Sequence, residues 1–173
     1  IDLYEADDVY ACGTSALRDS INGQRIIERS YEKSGIHVEI ISGEREAEIL
    51  DMVVHKDLGD SNYMHIDVGG GSTEINMIQN KQSYARTSFM LGSVRNMQGR
   101  EESASWEGMN SWIQENGKED FEATIATGGN IRTLQKLLLD QDEELTNIEQ
   151  LQRMIDKVKA MSIEQRIEQL GLR

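Results

Sequence analysis

The chain has 173 residues, 38% of them hydrophobic, a net charge of -13 and a single cysteine, Cys12. That length fits one ordinary domain, or a little more. No apolar run approaches the ~20 residues that span a bilayer, so no membrane partner is expected. The acidic balance argues against nucleic acid, which requires a basic surface. One cysteine excludes an internal disulfide and fits a reducing, cytoplasmic setting. Its expected place is as a small buried hydrophobe in a strand.

In chain order the pattern is α/β. Val9 to Gly13 reads as a short strand. Ser15 to Ser34 reads as helix, broken at Asn22-Gly23 and stopped at Gly35. Val38 to Ile41 is a β-branched strand, and Glu44 to Leu58 a helix with Ala47, Leu50, Val53 and Val54 on its apolar stripe. Tyr63 to Val68, Thr73 to Ile78 and Gln82 to Phe89 read as three consecutive strands, the last two joined by the hairpin turn Asn80-Lys81. Trp106 to Gln114 reads as helix, Phe121 to Ala126 as strand and Ile131 to Leu139 as helix. The remainder is helical, with capping boxes expected at Thr146 to Glu149 and Ser162 to Gln165. A joint between two parts of the chain is expected near Glu46 to Gly59.

The most informative segment is Asp67-Val68-Gly69-Gly70-Gly71-Ser72-Thr73-Glu74. A strand, a glycine turn and a second strand bring both carboxylates to one loop. Gly69, Gly70 and Gly71 put no side chain between the backbone N–H groups and an anion, which is how a main-chain cradle binds phosphate. Asp67 and Glu74 at its rim could hold a metal ion or a water. The plainer reading is a hairpin turn that needs glycine. A second glycine turn, Gly128-Gly129, follows a strand and opens a helix, where free N–H groups also favour anions, and Arg132 lies in its first turn. That turn could equally be a tight strand-to-helix connection. Net charge works against a polyanionic ligand, so local arginines and a divalent cation would have to offset the repulsion.

Four stretches resemble the exopolyphosphatase / guanosine pentaphosphate phosphohydrolase (Ppx/GppA) family. They are Cys12 to Arg18, Ile40-Ile41-Ser42-Gly43-Glu44-Arg45-Glu46-Ala47, Asp67 to Glu74, and Ser88 with Leu91-Gly92-Ser93-Val94-Arg95. The resemblance implies a ribonuclease H-like lobe of the actin-like ATPase, sugar kinase and chaperone superfamily, a mixed sheet with flanking helices. It further implies Glu46 as the catalytic base, Asp67 and Glu74 as Mg²⁺ carboxylates, and Arg18, Gly69, Gly70, Gly71, Ser72, Gly128 and Gly129 as phosphate-binding. By residue type alone, Glu46 would be one glutamate of an exposed acidic turn. The implied substrates are polyphosphate or guanosine pentaphosphate, and the implied full-length protein is a homodimer.

Three departures stand out. The family's opening loop Asp-x-Gly-Ser-x-Ser is not found, position 45 is Arg where the family is usually acidic, and the family's later Arg-Ala-Asp segment is not found. The chain is therefore expected to be a fragment, with residues 1–46 a remnant of the N-terminal lobe and 47–173 a truncated second lobe. Such a fragment is not expected to turn over by itself. Two other readings share the Asp67 loop: an ATP-dependent sugar-kinase-like lobe, and a non-catalytic phosphate or nucleotide sensor.

Overall fold

The structure, a computed structural model, describes residues 8–54, 58–100, 102–117, 120–138 and 146–170. The chain divides into two compact units, Ile1–Ala126 and Thr127–Arg173.

The first unit begins with β1 (Ala11–Gly13), α1 (Ser15–Arg18), α2 (Gly23–Ser34) and β2 (Val38–Ile40). β1 and β2 pair in parallel, Cys12 opposite Glu39. The break expected at Asn22-Gly23 separates α1 from α2, and Gly35 ends α2 in the left-handed conformation, φ 70°. Cys12 is exposed, a correction to its expected burial. In so short a strand alternate residues face opposite ways, and it is Gly13 that turns inward, onto Leu17.

α3 (Gly43–Val54), β3 (Asn62–Val68), β4 (Thr73–Gln79) and β5 (Gln82–Phe89) follow, then α4 (Ser93–Met97), α5 (Ser103–Asn116) and β6 (Phe121–Thr127). The second sheet runs in the order β5-β4-β3-β6, and β3, β4 and β5 form an antiparallel meander. Asn80 and Lys81 both have positive φ, 50° and 60°, the geometry of a tight hairpin turn matched to strand twist.

β4 is one of the two interior strands, buried from Thr73 to Ile78. Its faces differ in chemistry. Ile75 and Met77 turn to one side, Glu74 and Asn76 to the other, as a period of two requires. α3 packs on the polar face. There the Asn76 amide donates to the Ala47 carbonyl at 3.3 Å, and Asp51 lies 3.7 Å from Arg86. The opposite face of β5 meets α5, where Phe89 and Trp112 stack edge to face at 6.2 Å. Two features of α3 differ from expectation. Leu58 lies outside the helix. Val53 is 67% exposed, while Asp51 occupies the inward face. The polar sheet beneath selects a carboxylate that can pair with Arg86 rather than an apolar side chain.

The second unit contains α6 (Gly129–Leu138), α7 (Ile148–Ala160) and α8 (Ile163–Leu170). The α7 capping box sits one residue later than expected, with Asn147 as cap and Gln150 as its reciprocal partner. Thr146 donates instead to the Gln150 side chain at 3.0 Å. The Ser162 and Gln165 box forms as expected. Among the described residues no helix is long and apolar enough to cross a membrane.

Candidate active site

The antiparallel register of β3 and β4 sets Asp67 directly opposite Glu74, so both carboxylates stand on one face beside the loop that joins the strands. The next strand contributes Ser88 opposite Glu74. Its hydroxyl donates to Glu74 Oε1 at 2.8 Å. Glu74 is 1% exposed, and its Oε2 has no hydrogen-bond partner.

Glu46 reaches the same place from the first turn of α3. That approach needs a glycine at position 43, because a Cβ there would come within 2.6 Å of the Ser88 Cβ. Glu46 Oε2 is buried, accepts no hydrogen bond and lies 3.9 Å from Arg18 Nη1. Arg18 is itself anchored by donating to the Ile41 carbonyl at 2.8 Å. Burial pushes the Glu46 carboxyl above the usual carboxylate range, and the Glu74 charge adds to this; Arg18 opposes it. Burial also raises Glu74, against the hydrogen bonds from Ser72 and Ser88.

A carboxyl raised in the folded state favours folding when it is neutral. Its contribution is complete below the ordinary carboxylate range and is lost as pH rises through the raised folded value. In Mg²⁺-free buffer, Glu74→Gln is therefore expected to raise the melting temperature relative to the parent at about pH 7.5, and to lose that advantage at about pH 4, where the parental carboxyl is largely protonated. Melting curves at both pH values check this. An equal difference at both would rule out the charge as the cause.

The loop itself is held in an unusual way. Gly69 closes it by donating to the Ser72 carbonyl at 3.0 Å. The carbonyls of Gly69 and Gly70 accept from the N–H groups of Ser93 and Val94 at 3.0 and 2.9 Å. The Gly71 carbonyl accepts from Arg95 Nε at 2.8 Å. In a planar trans peptide the C=O and the following N–H point opposite ways. Three carbonyls drawn toward residues 93–95 therefore turn the N–H groups of Gly70, Gly71 and Ser72 to the other side. None of those three N–H groups donates to a backbone carbonyl of the loops and turns among the described residues. Main-chain N–H groups turned to one side in this way have a geometry that suits an anion.

Gly69, Gly70 and Gly71 do not have positive φ, so a special turn conformation is not what selects them. Close approach is. A Cβ on Gly71 would meet Ser15 Oγ at 2.6 Å, and one on Gly92 would meet the Gly71 nitrogen at 2.6 Å. Beside the loop opens a cleft of about 460 Å³ whose walls include Thr14, Ser15, Gly70, Gly71, Arg95 and Arg100. Arginines thus gather at the loop of a chain with net charge -13.

The profile of the Ppx/GppA phosphatase family matches residues 1–173. The chain belongs to this family. Among its relatives are guanosine-5'-triphosphate,3'-diphosphate pyrophosphatases. The one from Photobacterium profundum is 26% identical, over 96% of this chain and 36% of its own length. The one from Vibrio parahaemolyticus is 28% identical, over 88% of this chain and 35% of its own length. The chain thus spans about a third of the length of these curated relatives. An exopolyphosphatase from Cytophaga hutchinsonii shares the fold with a TM-score of 0.78 at 23% identity, covering 99% of this chain and 63% of that one. The Aquifex aeolicus Ppx/GppA enzyme does so with a TM-score of 0.73 at 22% identity, covering 95% and 61%.

Of the family-implied residues, Arg18, Glu46, Asp67, Glu74 and Gly69 to Ser72 come together in the first unit. Gly128 and Gly129 fall in the second. There Gly128 has φ 110°, which only glycine adopts easily, and its carbonyl accepts from the Arg132 N–H at 3.0 Å. The resemblance included Ser88 and Arg95 but assigned them no role. Ser88 holds Glu74, and Arg95 holds the loop. A hydrogen bond to a carbonyl 24 residues away leaves no local pattern in a sequence.

Among the described residues no group of three or more His, Cys, Asp or Glu side chains could hold a metal ion. The donors nonetheless suit Mg²⁺, which is typically held by one or two carboxylates, with waters and substrate phosphates completing its shell. Asp67 and Glu74, the latter with a buried unbonded oxygen, are such a pair.

Proposed function

We propose that this chain carries the phosphoryl-transfer centre of a phosphoanhydride hydrolase. On this reading the full-length protein removes the terminal phosphate of inorganic polyphosphate or converts guanosine pentaphosphate to the tetraphosphate. The observation that carries the reading is the Oε2 of Glu46, which accepts no hydrogen bond, beside two further carboxylates and a loop with three N–H groups turned away from its anchors. That combination supplies what phosphoryl transfer needs: an oriented nucleophile and stabilisation of equatorial charge.

The Gly70, Gly71 and Ser72 N–H groups donate to oxygens of the terminal phosphoryl group. Arg18 offsets negative charge beside Glu46. Glu46 accepts a proton from a water as the water oxygen bonds to phosphorus. The bond from phosphorus to the bridging oxygen breaks, and the shortened chain leaves with that oxygen. Asp67 and Glu74 would hold Mg²⁺, which when bound neutralises phosphate charge. The raised pKa of Glu46 suits a base that must take up a proton near neutral pH.

The same proposal takes residues 1–46 as part of the N-terminal lobe and 47–173 as part of the second, with Gly128 and Gly129 as a second phosphate contact. It takes the full-length protein as a cytoplasmic homodimer. The test is release of inorganic phosphate by the full-length protein from polyphosphate, guanosine pentaphosphate and ATP, with Mg²⁺ and with chelator. Mg²⁺-dependent release from one of the first two is expected. Release from neither would sink the proposal, and phosphate transfer from ATP to a sugar would replace it with the kinase reading.

A further inference from the structure

The carbonyls of the glycine loop are held by three main-chain N–H groups, those of Ser93, Val94 and Arg95, and by two side chains, the Ser93 hydroxyl and the Arg95 guanidinium. Arg95 Nε donates to the Gly71 carbonyl at 2.8 Å, and its Nη2 pairs with Asp19 Oδ2. Asp19 caps the C-terminus of α1. Ser15, on the same helix, fills the space a Gly71 Cβ would need. One guanidinium thus spans the loop, α4 and the end of α1. Its side chain is 15% exposed.

We propose that Arg95 is a positioning residue: it fixes the plane of the Gly71–Ser72 peptide so that the Ser72 N–H faces a bound phosphoryl oxygen. The proposal rests on the reading of the loop as a phosphate site and names what sets its geometry. Asp19 neutralises the guanidinium charge, and Nε is committed to a carbonyl, so Arg95 acts through the peptide it holds. A planar fork can hold a carbonyl and a carboxylate together. A lysine ammonium is a point charge on a flexible stem and does not reproduce that geometry.

The test uses the full-length protein, with initial rates of phosphate release from polyphosphate and amide hydrogen exchange at Gly69, Ser93 and Val94, the hydrogen-bonded N–H groups that close and anchor the loop. Arg95→Ala is expected to lower kcat by about tenfold or more, the scale of losing a hydrogen bond to a charged group, and to speed exchange in the loop. Added guanidinium should recover part of the rate in Arg95→Ala and none in Arg95→Lys. Asp19→Asn should produce a smaller loss with the same sign. If Arg95→Ala does not fold, Arg95→Lys and Asp19→Asn decide: slowed turnover with faster loop exchange supports the role, and parental values in both overturn it. A folded Arg95→Ala with parental kcat, or with a loss that guanidinium leaves untouched and unchanged loop exchange, also overturns it. If the parent hydrolyses neither polyphosphate nor guanosine pentaphosphate, the phosphate-site reading falls and this proposal falls with it.

Discussion

Full-length Glu46→Gln is expected to fold as the parent does, to keep its apparent affinity for polyphosphate, and to lose roughly two to four orders of magnitude in kcat, the range for removing general-base catalysis. Gln keeps the size of the side chain and can still hydrogen-bond a water, but it cannot accept the water's proton. Glu46 Oε2 has no hydrogen-bond partner to lose, so the substitution removes only its 3.9 Å ion pair with Arg18 at that atom. The pH profile should change as well. Burial and Glu74 raise the parental carboxyl, and the base works only when ionised. Parental kcat/KM should therefore climb as pH rises through that raised value, and Glu46→Gln should lack this acidic limb. Glu44 lies in the same first turn of α3 but is exposed, and Glu44→Gln should stay close to the parent. Equal losses in the two variants, or a loss confined to KM, would show that Glu46 is not the base.

Asp67→Asn addresses the other half of the site. Asp67 and Glu74 face each other across the β3–β4 pair, and the amide keeps that register while removing one of two negative charges. Apparent Mg²⁺ affinity, measured from the metal dependence of phosphate release, is expected to fall by at least the 10–100-fold (about that scale) seen when outer-shell partners of a metal ligand are removed. Near-parental Mg²⁺ dependence would assign Asp67 a structural part only. Glu74→Gln is a poorer probe of the metal, because Glu74 also accepts from Ser88 and its burial carries a stability effect of its own.

Local chemistry made much of the molecule legible from its residues. The alternation of Ile75 and Met77 with Glu74 and Asn76, and the Asn80-Lys81 turn, specify a meander because period-two patterning and hairpin geometry act over a few residues. Gly35 ends α2 for an equally local reason. The Asp67 to Glu74 segment placed two carboxylates at one loop, since strand-turn-strand leaves them no other arrangement. Only the tertiary structure decided why that loop is made of glycine. Ser15 leaves no room for a side chain at position 71, the loop backbone leaves none at position 92, and residues 93–95 draw the loop carbonyls to one side. The five-residue α4 that carries those donors is too short to show a helical period. Asp51 on the inner face of α3 and Cys12 on the outside of β1 were likewise settled by neighbours, Arg86 and the two-stranded sheet. A side chain's burial depends on what packs against it, and no local pattern names that partner.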